Sequence, residues 1–462
     1  MRAVVAIFIT AIVLTLFFAC GNSNNSENSA QTDSIQYQLP DTLRVATLYS
    51  PTSYFIYRDA KLGYDYSLVT RFAEDNNVVI DLIVAPNMAT MIELLDSSEV
   101  DLIAYEIPIT SEYKNKVLHC GVKNYTSQVL VQPKKKNEEL ITDVTQLVGK
   151  DVYVEKGSKY QQRIENLNNE LGGGINIKIV DKDTLITEDL IRMVSSGELP
   201  LTIVDSDIAQ LNKTYYNDLD ITLELSFRQP SSWAVSLTSP QLADVINEWF
   251  IQETPKKLFA EVHKRYFELS KNNKSVYTVN FSKGYISSYD KYFKKYANET
   301  GWDWRLLASQ AYVESRFDSS AVSWAGARGI MQIMPSTAVS YGLTDRIAYI
   351  DENIRVASLI VKKLDVLLTK YVEDPQERVK FVIGAYNSGL AHIYDAIALA
   401  EKYGLNPQKW DGNVAEAVLM KSKPEYYNDP VCKYGYFRGR QTYEYVNKVM
   451  DFYSQCKQKI LL

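Results

Sequence analysis

Between residues 41 and 270, short apolar runs alternate with longer amphipathic stretches. Residues 43–47, 79–84 and 100–103 read as strands, with helices at 65–76 and 87–96 between them. The theme then repeats with strands at 151–155, 175–180 and 201–204 and helices at 159–171 and 188–196. The chain returns through 233–237 to long helices over 241–267. Strands alternating with helices predict parallel sheets covered by helices, here in two successive α/β blocks. After about residue 276 the two-residue period stops. Helices are predicted at 286–299, 303–315, 336–341, 351–370, 374–387, 391–403, 410–419 and 441–456. In the long 351–370 stretch, Ile354, Ala357, Leu359, Ile360, Leu364 and Leu367 are assigned to the buried side. The pattern predicts a multidomain chain, a two-lobed α/β module followed by an all-α domain.

The first residues follow a different logic. Arg2 precedes an apolar run over 3–19 that stops at Cys20-Gly21, which reads as an export signal and is short for a retained membrane span. The ending Leu16-Phe17-Phe18-Ala19-Cys20 resembles a bacterial lipobox, which implies a lipid on Cys20. Asn22, rather than Asp, follows Gly21, and by the same resemblance this implies an outer-membrane lipoprotein facing the periplasm. The polar stretch after Gly21 is fit for a flexible tether. The expected divisions are 1–19 signal, 20–40 lipidated tether, 41–270 α/β module with its second lobe at about 134–228, and 285–462 helical domain.

Composition narrows the chemistry. A net charge of −6 gives no support to nucleic-acid binding. The three histidines, His119, His263 and His392, lie far apart, so neither a metal site nor a cofactor is expected. Three cysteines remain after Cys20. In an oxidising envelope Cys432 and Cys456 are expected to bridge, leaving Cys120 as an odd buried thiol.

The most particular stretch is 312–338, YVESRFDSSAVSWAGARGIMQIMPSTA. Trp304, Leu307, Ala308, Ala311 and Tyr312 recur at helical spacing, placing Glu314 near a helix end beside its buried face. A carboxylate half enclosed by apolar groups is expected to have a raised pKa, as a general acid near neutral pH requires. A lone Glu there could equally cap or salt-bridge its helix. The run E-S-R-F-D followed by S-x-x-G-A-R-G-I-M-Q-I-M-P-S-T-A, however, resembles the signature of soluble-lytic-transglycosylase-type, lysozyme-like domains. That resemblance implies that Glu314 is the sole catalytic acid and base. It implies that Ser323 meets substrate near a sugar 6-hydroxyl, and that Met331 and Gln332 position sugars and shape the groove wall. Residues 381–389 resemble the family's A-Y-N-x-G box, placing Tyr386 and Asn387 at the groove, where they also suit a helix C-cap before Gly389. Residues 441–449 resemble its closing T-x-x-Y-V box, putting the Tyr445 hydroxyl on substrate or on Glu314.

Residues 41–270 resemble family 3 solute-binding modules of the polar amino-acid type. The matching pieces are TLRVAT, GYDYSLVTRFAEDNNV, NMATMIELLDSSEVDLIA, IPITSEYKNKV and LVGKDVYVEKGSKYQQRI. Ligands of such folds sit between the lobes at strand ends. Binders of amino acids hold the carboxylate with an arginine shortly after the first crossover strand, where this chain reads Gln132-Pro133-Lys134-Lys135-Lys136. Amino-acid binding is therefore not implied for this module, which leaves a small ligand or muropeptide, or no ligand at all.

Together the resemblances imply a peptidoglycan lytic transglycosylase. It would cleave the β-1,4 bond between N-acetylmuramic acid and N-acetylglucosamine with 1,6-anhydro closure, regulated by the α/β module. Glycan strands are the implied substrate, and a lipid anchor the implied membrane contact. A hydrolytic muramidase and a non-catalytic wall-anchored receptor are the rival readings.

Overall fold

The computed structural model describes residues 37–134, 139–180, 187–269, 279, 281, 284–343, 347 and 349–460. The export signal and the lipidation reading at Cys20 fall outside these residues. The chain starts with β1 (Thr42–Leu48), a short hairpin of β2 (Phe55–Tyr57) and β3 (Ala60–Leu62), α1 (Tyr64–Asp75), β4 (Val79–Ala85), α2 (Met88–Asp96) and β5 (Leu102–Pro108). Parallel β4, β1 and β5 build one half of a five-stranded sheet. Its other half is antiparallel, made by β6 (Leu118–Thr126) and the returning β12 (Gln229–Val235) in the order β4-β1-β5-β12-β6.

The second sheet holds β7 (Gln128–Pro133), β8 (Asp151–Glu155), β9 (Asn176–Val180), β10 (Thr202–Asp205) and β11 (Leu219–Asp220), ordered β11-β7-β10-β8-β9. Helices α3 (Lys159–Glu170), α4 (Thr187–Ser196) and α5 (Ser206–Lys213) cover it. The lobe boundary lies earlier than expected. β7 already pairs with β10 and β11, so the crossing is at Ser127 rather than near residue 134. Each lobe has its own apolar core. Val45, Phe72, Leu102 and Trp249 belong to the first, and Leu130, Val152, Ile164 and Ile203 to the second.

Helices α6 (Pro240–Ile251) and α7 (Glu253–His263) close the α/β module. The helical domain follows with α8 (Asp290–Thr300), α9 (Trp304–Ser315), α10 (Pro335–Ser340), α11 (Ile350–Leu368), α12 (Pro375–Ser388), α13 (Leu390–Lys402), α14 (Ala415–Met420) and α15 (Gly439–Lys459). Caps fix several starts: the Asp303 carboxylate accepts from Arg305 N–H, and Asp374 accepts from Gln376 N–H just after Pro375 at the first helical position. On α11 the buried stripe is Ile354, Ala357, Val361, Leu364 and Leu368, whereas Leu367 is exposed. The predicted stripe drifted by one residue at its end, and the 3.6-residue period puts Leu368 inward.

Both lobes and the helical domain belong to one compact unit beginning at Leu39. Trp324 of the helical domain packs beside Phe55, Tyr57 and Tyr266 of the α/β module, and Tyr436 enters the first lobe's core. Cys120, Cys432 and Cys456 are free thiols, which corrects the expected bridge. Cys456 is turned into the core from α15, where its sulfur accepts from Ser309 Oγ at 3.7 Å. A buried thiol already packed against α9 has no route to a partner on another loop.

Candidate active site

Glu314 occupies the last turn of α9, which ends because Arg316 and Phe317 take left-handed backbone angles (φ 51° and 63°). The turn throws the chain into the loop 317–334, which folds back over the helix end. Ser315 Oγ donates to Ile330 O at 2.8 Å, binding that loop to the carboxylate's own helix. The Glu314 side chain is only 4% exposed, as the apolar spacing predicted.

Its neighbours decide its chemistry. Tyr445 on α15 donates its hydroxyl to Glu314 Oε1 at 2.7 Å. Burial and then the Glu314 charge push the Tyr445 phenol well above its ordinary pKa, so it stays a donor. Tyr386 on α12 donates to Met331 O at 2.8 Å. Asn387 accepts from Thr442 Oγ1 at 2.9 Å, tying α12 to α15. Ser323 Oγ accepts from Ala327 N–H at 2.9 Å, and the Gln332 amide donates to Ala321 O and Gly329 O. Glu314, Ser323, Gln332, Asn387 and Tyr445 all line one open cavity of about 1020 Å³. Met331 does not. Its side chain is fully buried in the helical core, and its carbonyl is what holds Tyr386.

The polar groups bonded to Glu314 are Arg58 and Tyr445, while Glu188, Asp189, Asp318, Glu416 and Glu444 line the same cavity. Asp318, four residues on, accepts from Ser320 N–H at 2.9 Å and Ser320 Oγ at 2.6 Å, so it staples its own turn.

The residue in contact with the acid was not foreseen. Arg58, at the tip of the β2–β3 hairpin, donates from Nη2 to both Glu314 oxygens at 2.9 Å and from Nη1 to Gln332 O at 2.5 Å. Arg58 and Asp59 form a two-residue turn with φ of 51° and 59°, the geometry of a type I′ hairpin normally given to Asn and Gly. Its backbone is anchored as well. Arg58 N–H donates to Ser388 O at 2.9 Å, and His392 Nε2 bonds Ile56 O at 2.8 Å. Asp59 accepts from the Leu390 and Ala391 N–H groups at the start of α13, a helix with no side-chain cap of its own. Gly389 is required at that start: its φ is +99°, and a Cβ would stand 2.6 Å from Asp59 Oδ1. Burial alone would lower the Arg58 pKa, but the Glu314 carboxylate outweighs it and holds the guanidinium charged. Glu314 thus accepts through both oxygens, from Arg58 and from Tyr445.

The second lobe touches the same cavity. The Arg438 guanidinium lies 4.0 Å over the Tyr215 ring and donates to Asn212 Oδ1, and Arg440 pairs with Asp189 at 3.2 Å. The sequence offered no periodic signal for any of these contacts, because they join segments hundreds of residues apart.

Comparison with known proteins agrees with both halves of the chain. The transglycosylase SLT domain matches residues 291–408, and bacterial extracellular solute-binding proteins, family 3, match 43–269, so the chain carries both domains. It is similar to a protein named membrane-bound lytic murein transglycosylase F from Desulfosudis oleivorans, 29% identical over 90% of each chain. Proteins of the same name from Pseudomonas fluorescens strain Pf0-1 and Aeromonas hydrophila are each 29% identical. They cover 89% and 97% of this chain, and the chain covers 84% and 88% of them.

Proposed function

We propose that this two-domain chain is a peptidoglycan lytic transglycosylase in which Glu314 is the only catalytic carboxylate, and that its α/β module regulates it. The observation that carries the reading is a buried Glu314 at a helix end, bonded by Tyr445, with Asp318, the carboxylate closest to it in sequence, spent on its own turn. Ordinary glycoside hydrolysis needs two carboxylates, one of which acts as nucleophile or activates water. One carboxylate suffices if a hydroxyl of the substrate itself closes the reaction. Glu314 protonates the glycosidic oxygen between N-acetylmuramic acid and N-acetylglucosamine, and the C1–oxygen bond breaks. The 6-hydroxyl then gives its proton to Glu314 as O6 bonds C1, leaving a 1,6-anhydro end and a regenerated acid. Ser323 and Gln332 line the groove that receives the sugar, and Tyr445 orients the carboxylate. Replacing Glu314 by Gln should abolish clearing in a peptidoglycan zymogram, and retained activity would sink the assignment.

The regulatory half of the proposal is supported by Arg58. While it holds Glu314, the acid cannot donate, so substrate turnover requires the hairpin to leave. A small ligand or muropeptide in the module between the lobes would act on the same rigid lobe that carries the hairpin. Arg58→Ala should raise turnover on purified cell walls by about tenfold, the response to about 1.4 kcal/mol less stabilisation of the closed arrangement. Unchanged or lower turnover would remove the regulatory role.

We also propose that Cys20 is lipidated and holds the protein at the outer membrane, facing the periplasm. The lipobox-like ending and relatives named as membrane-bound support this, and among the described residues no helix is long and apolar enough to cross a membrane. Cys20→Ala should abolish palmitate labelling and move the protein to the soluble fraction. Labelling that persists would exclude the anchor.

A further inference from the structure

The turn that faces Glu314 is built around one buried amide. Arg328 and Ile333 exchange backbone hydrogen bonds (2.9 and 3.0 Å), closing a tight turn over Gly329, Ile330, Met331 and Gln332. Gly329 and Gln332 both have left-handed angles (φ 81° and 50°). Asn353, in the first turn of α11, is fully buried beneath it. Its Oδ1 accepts from Met331 N–H at 2.8 Å, and its Nδ2 donates to Arg328 O at 3.1 Å and Ile347 O at 2.5 Å. Two of the four hydrogen bonds an amide can make are thus spent on this turn, and a third on Ile347 just ahead of α11. A Cβ at Gly329 would stand 2.5 Å from Asn353 Nδ2, so the backbone rests directly on the side chain. With Ser315 holding Ile330 O and Tyr386 holding Met331 O, the carbonyl left facing the acid is that of Gln332.

That carbonyl and the Glu314 carboxylate converge on one place, because a single guanidinium bonds both. The Arg58 Cζ also lies 5.8 Å from the Tyr386 ring centroid, within cation–π range. Three oxygens, two from Glu314 and one from Gln332, and an aromatic ring around a planar, delocalised cation define a seat for positive charge. Cleavage of the glycosidic bond passes through an oxocarbenium-like state, also planar and delocalised. A dipole already aimed at that charge needs no reorganisation when it forms, and such groups carry large shares of catalysis.

We infer that the Gln332 main-chain carbonyl stabilises the positive charge that develops on the sugar, and that Asn353 is the positioning residue that holds it beside Glu314. The inference rests on the transglycosylase reading above. In it, Arg58 closes the site by occupying the place of the reaction's own cation.

Two measurements on the full chain test this. Asn353→Ala and Asn353→Asp, each checked for a cooperative melt, should lower kcat by about a hundredfold, as loss of one aligned electrostatic group does. KM should stay within about threefold, because sugar contacts elsewhere in the groove remain. A folded variant with kcat within threefold of the parent would overturn the role of Asn353. Independently of those variants, the emptied seat of Arg58→Ala should admit guanidinium ion. Millimolar guanidinium chloride should inhibit that protein competitively, with sodium chloride as the ionic control, and inhibit the parent several-fold less. Equal inhibition of both, or of neither, would overturn the cation seat. Failure of the parent itself to form anhydro ends would instead defeat the transglycosylase reading, so the two failures are distinguishable.

Discussion

A carboxylate that must give away a proton is found here bonded through both oxygens to an arginine, and that one pair explains most of what Glu314 can and cannot do. Glu314→Gln removes the charge but keeps the shape. Arg58, its side chain 9% exposed, is then left without its counter-charge, and such a loss costs about 3–5 kcal/mol where a buried pair is broken. Phe55 and Tyr57 still pack on Trp324 and Asp59 still caps α13, so this variant should loosen the Arg58 tip of the hairpin rather than unfold the domain. Limited proteolysis should cut faster at Arg58 in Glu314→Gln than in the parent, alongside the loss of activity. Equal cutting rates would show that the ion pair does not hold the hairpin. At this level the motifs pointed to residues that line one cavity, Glu314, Ser323, Gln332, Asn387 and Tyr445, whereas Tyr386, expected at the groove, is buried with its hydroxyl on Met331 O. The sequence misled at Met331, because spacing does not say whether a side chain or a carbonyl faces the groove. It was silent on Arg58 and Asn353, each a single polar residue whose meaning comes from a partner far along the chain.

Among the secondary structure elements, α13 shows how the two domains are joined. The helix has no cap of its own, and Asp59 from the hairpin supplies one. Behind its first turn, Lys421 is fully buried and donates to His392 Nδ1 at 2.7 Å and Gly435 O at 2.6 Å, with Asp395 at 3.0 Å. Burial first, then the Lys421 charge, hold His392 well below its ordinary pKa, so the ring is neutral with its proton on Nε2, facing Ile56 O. Lys421→Met should destabilise the helical domain by about 3–5 kcal/mol, since the buried Asp395 carboxylate keeps its bonds from the Lys433 and Tyr434 N–H groups but loses its counter-charge. Urea unfolding measures this, and a change below about 1 kcal/mol would show that the pair contributes little. The long helices and central strands were readable because their periods run for ten residues or more. The β2–β3 hairpin was not, since three-residue strands carry almost no period and Arg58-Asp59 lacks the usual turn residues.

Across the whole chain, the two domains could be read separately but not their docking, because Arg58 and Glu314 are 256 residues apart and no pattern spans that distance. The α/β module also carries its own electrostatic load. Burial, reinforced by mutual repulsion, pushes Asp65 up to about 6 and Glu106 and Asp207 up to about 7. Their unfolded values lie near 4, so the unfolded chain holds fewer protons between pH 4 and 7. The stability they contribute is complete below about pH 4 and is lost as pH rises through 6 to 7. The melting temperature should therefore fall from pH 5 to pH 8, and Glu106→Gln should flatten that fall. A slope identical in parent and variant would contradict the assignment.

The central claim is that one carboxylate cleaves the glycan without water, and the chemistry of the new ends tests it most directly. Purified peptidoglycan digested by the full chain in heavy-oxygen water, then analysed by mass spectrometry, should give muramic acid ends lacking one water and carrying no label. Reducing ends bearing the heavy oxygen would contradict the account and make the protein a hydrolase.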